Sequence, residues 1–176
     1  MPNLLLVTGT GRKSGKTTMV CRITGQFREI GIISVKISPH FHEPSEGLKL
    51  ITGNQRYLVY EETNPSTSKD TSQMLKIGAE RVFFIEVSDG YLEEAFSAIV
   101  KIIPENRPVV CESPGLYKYL RPGVFVIMIA DNELNYKDIT EMKRIPHAEF
   151  TLQKLSETAV LPFKFGSGGW NYSLGK

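Results

Sequence analysis

At 176 residues the chain is long enough for a single domain that buries about 70% of its unfolded surface. With 41% hydrophobic and 23% charged residues, it has a globular composition, neither disordered nor fibrous. The formal net charge of +2, from 21 basic and 19 acidic residues, gives no electrostatic case for nucleic acid or a membrane surface as partner.

Leu4, Leu5, Leu6 and Val7 form an apolar run suited to a buried strand. Thr8-Gly9-Thr10-Gly11-Arg12-Lys13-Ser14-Gly15-Lys16-Thr17-Thr18 follows, and then Met19, Val20, Ile23, Phe27 and Ile30 recur at helical spacing. Strand, glycine-rich loop and helix in that order are the context of a phosphate-binding P-loop. Gly9, Gly11 and Gly15 let backbone N–H groups turn toward phosphate oxygens, and the positive helix end faces the same anion. Lys16 adds a point charge between the β- and γ-phosphates, while the Thr17 hydroxyl ligates Mg²⁺. The expected nucleotide-binding set is Thr10, Gly11, Arg12, Lys13, Ser14, Gly15, Lys16, Thr17 and Thr18. The pattern G-x-x-x-x-G-K-[ST] asks for glycine where Thr10 stands, so the loop is a variant flanked by glycines. Arg12 and Lys13 at its apex neutralise phosphate charge, within the site or across a dimer interface, or are simply solvated.

Cys21 lies in this first helix and Cys111 in a later apolar strand; at no metal-type spacing, both read as buried reduced thiols. Met1-Pro2-Asn3 carries no basic segment, and the longest strongly apolar stretch, 124–130, is far below a membrane span. The expectation is a cytoplasmic chain.

Gly31 ends the helix, and 32–37 reads as a second strand whose one charge is Lys36. Lys36 contacts a phosphate or substrate anion, or snorkels to water. Residues 38–47, punctuated by Pro39 and Pro44, form a loop at the carboxyl edge of a parallel sheet, where ligands bind. His40 and His42 alternate around Phe41 without a third metal ligand, so an anionic ligand suits them better than a metal. Residues 48–51 and 56–60 suggest a hairpin around 52–55. Thr67 and Asp70 fit a capping box that opens a short helix through Met74, Leu75 and Ile77, stopped by Gly78. In that role Asp70 is structural, with a ligand contact as the alternative.

Residues 82–87 read as a strand. Tyr91, Leu92, Ala95, Phe96, Ile99, Val100 and Ile103 then share one helical face, and Pro104 stops it. Residues 109–112 and 124–129 are further buried strands, the first followed by the turn Ser113-Pro114-Gly115. A helix is expected over 136–143 and a short strand over 149–152, while the segment from about 150, with Trp170 and Tyr172 in a glycine-rich tail, shows no clear pattern. Alternating strands and helices predict an α/β, three-layer P-loop NTPase fold: a mostly parallel sheet with helices on both faces, in one domain over 1–176. Glu86, Glu112 and Asp131 each end a strand where a second acid for Mg²⁺ belongs. Glu112 is favoured, because Gly115 follows at acid-x-x-Gly spacing and its N–H can approach a γ-phosphate. Glu86 and Asp131 read as capping or solvated strand-end carboxylates, with Asp131 also placed to contact a base or ribose. The catalytic set is then Lys16, Lys36 and Glu112, and the metal set Thr17 and Glu112.

Val7-Thr8-Gly9-Thr10 followed at this spacing by Gly15-Lys16-Thr17 resembles the loop of dethiobiotin synthetases, as do Lys36 at the end of strand two and an acid at Glu112. The shorter length and the wording Lys13-Ser14-Gly15-Lys16-Thr17-Thr18 look more like the MobB-type proteins of molybdopterin-guanine dinucleotide biosynthesis. Those carry a segment similar to Lys36 through His42 and another similar to Asp70-Thr71 through Gly78-Ala79. Glu112-Ser113-Pro114-Gly115 departs from both patterns. The MobB resemblance implies an Mg²⁺–GTP protein, slow in hydrolysis, that serves molybdenum-cofactor maturation as an adaptor for a partner enzyme, in a branch whose members often dimerise. The dethiobiotin resemblance implies an ATP-dependent enzyme acting on a small anionic substrate. A third reading is a nonhydrolysing nucleotide-dependent switch. Trp170 and Tyr172 are the expected docking surface for a partner, and nothing in the pattern chooses between GTP and ATP.

Overall fold

The computed structural model describes residues 1–88, 90–130 and 138–173. β1 (Leu4–Gly9) leads through the glycine-rich loop into α1 (Lys16–Gln26), and β2 (Ile33–Ser38) follows. The hairpin β3 (Leu48–Gly53) and β4 (Tyr57–Glu62) precedes α2 (Asp70–Lys76), β5 (Arg81–Val87), α3 (Leu92–Val100) and β6 (Val109–Glu112). Then come β7 (Val124–Met128), α4 (Thr140–Lys143), β8 (Ala148–Phe150), α5 (Leu152–Glu157), β9 (Phe163–Gly166) and β10 (Gly169–Tyr172).

Among the described residues, the main sheet has eight strands in the order β3-β4-β5-β2-β6-β1-β7-β8. It is parallel from β5 to β8, and the β3–β4 hairpin adds antiparallel to the β5 edge. The near-continuous apolar strands follow from burial on both faces. Leu4 and Leu6 of β1 pack with Ala95, Phe96 and Ile99 of α3, whereas Leu5 and Val7 pack with Met19, Val20 and Ile23 of α1 and with Met74 of α2. This is the mostly parallel α/β sheet with helices on both faces that the alternating pattern predicts.

Four expectations are corrected. The capping box does not form: α2 starts at Asp70 after Lys69, no side chain caps it, and the Thr67 N–H that the box would give to Asp70 donates instead to Ser72 Oγ at 2.9 Å. Val100 lies 40% exposed, since the helix rotates it past the stripe of Ala95, Phe96 and Ile99. The strand around Glu149 ends at Phe150 and Leu152 opens α5, because the Thr151 hydroxyl accepts the Lys154 N–H and caps that helix. The helix expected over 136–143 is seen as α4 from Thr140; Tyr136 and Lys137 lie outside the described residues.

A further correction concerns the tail. β9 and β10 form a separate hairpin packed on the α1 face, and Trp170 is 2% exposed, not a docking surface. Its ring meets Phe27 and Phe165 edge-on at centroid distances of 5.0 and 5.1 Å, and its Nε1–H donates to the Val109 carbonyl at 3.2 Å. Two α1 side chains tie the preceding segment down. Arg22 donates to the Leu155 carbonyl at the end of α5 (2.8 Å), and the Gln26 amide exchanges hydrogen bonds with the Leu161 backbone. Trp170→Ala should therefore cost roughly 3–5 kcal/mol in denaturant unfolding, the range of a large buried side chain cut to alanine. A loss below about 1 kcal/mol would show that the hairpin is peripheral to the core.

Candidate functional site

The loop between β1 and α1 is shaped by close approaches. A Cβ at Gly9 would lie 2.3 Å from Ser14 Oγ and 3.0 Å from Lys16 Cγ, so only glycine lets the loop fold back over the strand end. Gly15 has φ 88°, and a Cβ there would also strike Leu152 at 2.4 Å. The Thr10 irregularity now has a physical account. Its N–H donates to the Met128 carbonyl (3.0 Å) and its hydroxyl accepts the Ala130 N–H (2.9 Å), so the buried Thr10 tethers the loop to the end of β7. Within the loop, Lys16 Nζ donates to the Gly11 carbonyl at 2.8 Å and to Ser14 Oγ at 3.2 Å. Arg12, Lys13 and Thr18 are exposed around this cradle, and Lys13 adopts φ 58°.

The sheet register brings the companions together. Glu112 pairs with Val7 of β1 on one side and with Lys36 of β2 on the other. The Thr17 hydroxyl donates to Glu112 Oε2 at 2.8 Å and lies 3.3 Å from Asp70 Oδ2. Lys36 Nζ bonds Asp70 and approaches both Glu112 oxygens at 3.4 Å. Lys36 is thus no snorkelling lysine; it bridges two carboxylates, one from a strand end and one from the first turn of α2. Burial pulls the Lys36 pKa down, but the charges and hydrogen bonds of Glu112 and Asp70 outweigh it and raise the value. One turn into α1, Cys21 feels the same acids: burial first, then Asp70 and Glu112, push its thiol up to about 11. Both cysteines are buried and free.

Asp70, for which the sequence favoured a local capping role with a ligand contact as the alternative, makes no cap and lies in this cluster. One hydroxyl and two carboxylates around the loop are hard oxygen donors of the kind Mg²⁺ prefers, and the glycine-floored loop beside them suits a polyphosphate, so this residue set fits an Mg²⁺–nucleotide.

Glu86 is a further correction: it is not a solvated strand-end acid but 1% exposed. Its Oε1 accepts the His42 N–H at 2.9 Å, and its Oε2 has no partner among the described residues. It therefore anchors the loop 39–47 rather than reaching the Thr17 cluster. His40 and His42 are exposed, with ring centroids 6.4 Å apart, and face different cavities. A small cavity of about 210 Å³ lies beside the cluster, lined by Lys36, Ser38, His42, Lys69, Asp70 and Phe84. Asp131 and Asn132, candidates for base contact, lie outside the described residues.

Neither a family model nor a curated protein matches the chain. Among solved structures, LpxK from Aquifex aeolicus, in a crystal structure of the "apo" form in complex with ATP, is similar with a TM-score of 0.50 at 16% identity. The likeness covers 94% of this chain and 51% of that one, so the chain spans about half the length of LpxK. What the two share is the fold.

Burial raises the Glu86 pKa above its ordinary 4.5, against the lowering effect of the His42 N–H. A carboxyl with a raised folded-state pKa stabilises the fold when protonated, and that contribution is lost as pH rises through the raised value. Glutamine does not titrate. Glu86→Gln should accordingly gain stability relative to wild type as pH rises from about 4 to about 8, measured by chemical denaturation. A difference that is flat with pH would show that Glu86 is not desolvated.

Proposed function

We propose that this chain binds a nucleoside triphosphate with Mg²⁺ and performs phosphoryl chemistry at the carboxyl edge of the sheet. The observation that carries the reading is the convergence of Thr17, Asp70, Glu112 and Lys36 beside the Lys16 loop. Thr17, Glu112 and Asp70 would hold Mg²⁺, which supplies charge neutralisation between phosphate oxygens when bound. The loop N–H groups and Lys16 cradle the polyphosphate, and Lys36 is placed to turn from its carboxylates toward a terminal phosphate. Both acids are ion-paired with Lys36, and catalysis rests on positioning and charge. The ATP in the LpxK structure is consistent with such a loop; GTP is the nucleotide that the MobB resemblance favours.

Two finer readings follow from the resemblances. In one, the protein is a MobB-like slow GTPase and adaptor in molybdenum-cofactor biosynthesis. In the other, phosphoryl groups pass to a small anionic substrate, as in dethiobiotin synthetases. The cavity beside Lys36 favours the second. Its volume of about 210 Å³ is below the roughly 300–1,000 Å³ of drug-sized pockets, so it suits a compact acceptor. Trp170, which the adaptor reading would have used for docking, is buried.

Thermal-shift titration with ATP, GTP and their diphosphates, with and without Mg²⁺, tests the reading. At 100 times the dissociation constant the bound nucleotide should add about 2.7 kcal/mol. Lys16→Ala should abolish the shift, and Asp70→Asn or Glu112→Gln should remove its Mg²⁺ dependence. No stabilisation by any nucleotide would refute it.

A further inference from the structure

A second and larger cavity, of about 780 Å³, opens at the same carboxyl edge on the opposite, α3 face of the sheet. The described residues give it an apolar body from Ile37, Leu92, Tyr117 and Met142, with His40 and Lys118 as its basic groups. Its one acid there, Asp138, is engaged by the N–H and hydroxyl of Thr140 at 2.9 and 2.6 Å. Lys118 lies over the Tyr117 ring at 6.0 Å and meets Glu141 only at 3.8 Å, with both side chains more than half exposed. A pair that exposed contributes about 0–1 kcal/mol, so an anion in the cavity can take Lys118 from it. The volume falls within the roughly 300–1,000 Å³ of pockets that enclose a small organic molecule.

The cavity is wired to the nucleotide site by two short pieces of backbone. Ile37 and His40 follow Lys36 directly, with Ile37 on the other face of the same strand. Pro114, Gly115, Tyr117 and Lys118 follow Glu112, and the buried Ser113 hydroxyl fixes that turn by accepting the Gly115 and Leu116 N–H groups at 3.3 and 3.2 Å. Residues 113–118 thus run directly from Glu112 into the wall that carries Tyr117 and Lys118.

We propose that this cavity binds a small amphipathic anion, with an aromatic or aliphatic body and one acidic group, and that its occupancy is coupled to the nucleotide site through residues 112–118. The coupling rests on the nucleotide reading; the binding does not. Coupling of this kind is reciprocal, so each ligand changes the affinity of the other by the same factor.

Anilinonaphthalene sulfonate, an aromatic sulfonate whose fluorescence rises in apolar surroundings, is the probe. Titration of the full chain should saturate at one site. Leu92→Glu and Lys118→Glu should each weaken binding by about tenfold or more, since each places a negative charge in a site for an anion. Val100→Glu, in a neighbouring hollow that shares only Tyr119 with this cavity, should leave binding unchanged. Lys118 is exposed, so its variant keeps the test decisive if Leu92→Glu fails to fold. A nonhydrolysable ATP or GTP analogue with Mg²⁺ should then shift the probe's affinity by about fivefold or more. Binding that does not saturate, or that Val100→Glu weakens as much as Lys118→Glu does, would overturn the site. Binding indifferent to a nucleotide that itself binds would overturn the coupling, whereas absence of nucleotide binding would strike the proposed function and leave the dye titration to decide the cavity.

Discussion

Two carboxylates, Glu112 and Asp70, approach the same Thr17 hydroxyl from different elements, and the Lys36 ammonium lies against both. Two carboxylates gathered on one hydroxyl repel each other, and a cation between them relieves that repulsion. The register of β2 on β6 supplies one by setting Lys36 opposite Glu112. A divalent cation bound by the same oxygens would do the same and free the ammonium for an anion nearby. The strand order, the loop's glycines and the first turn of α2 all position this one charge balance.

Much of that arrangement was legible in the sequence, because the strands are buried on both faces and read as unbroken apolar runs. The P-loop, Lys36 and Glu112 are local signals: a glycine-lysine-threonine loop, one charge in an apolar strand, an acid before a turn. Asp70 was not legible in its present role, since Thr67 and Asp70 satisfy a local capping pattern while the structure draws the Asp70 carboxylate to a lysine 34 positions away. Glu86 was misread for a related reason. A strand-end acid is ordinarily solvated, and only the loop that folds over it removes the water. Trp170 shows the same limit: a glycine-rich tail carries no periodicity, yet it closes the α1 face of the core.

The loop 39–47 separates two cavities at the sheet edge. His42 lines the smaller, beside Lys36, and His40 the larger, beside Tyr117 and Lys118. Glu86 holds this divider through the His42 N–H, with one carboxylate oxygen left buried and unpartnered among the described residues. An unsatisfied buried oxygen disfavours this placement.

Electron paramagnetic resonance of Mn²⁺, which favours the same oxygen donors as Mg²⁺, addresses the metal cluster directly. Titrated into the protein with a nonhydrolysable triphosphate, Mn²⁺ should lose its free signal up to one ion per chain, with nucleotide required. Glu112→Gln combined with Thr17→Val should restore the free signal over the same range. Uptake of Mn²⁺ by that double variant equal to wild type would contradict a metal site built from Thr17, Asp70 and Glu112.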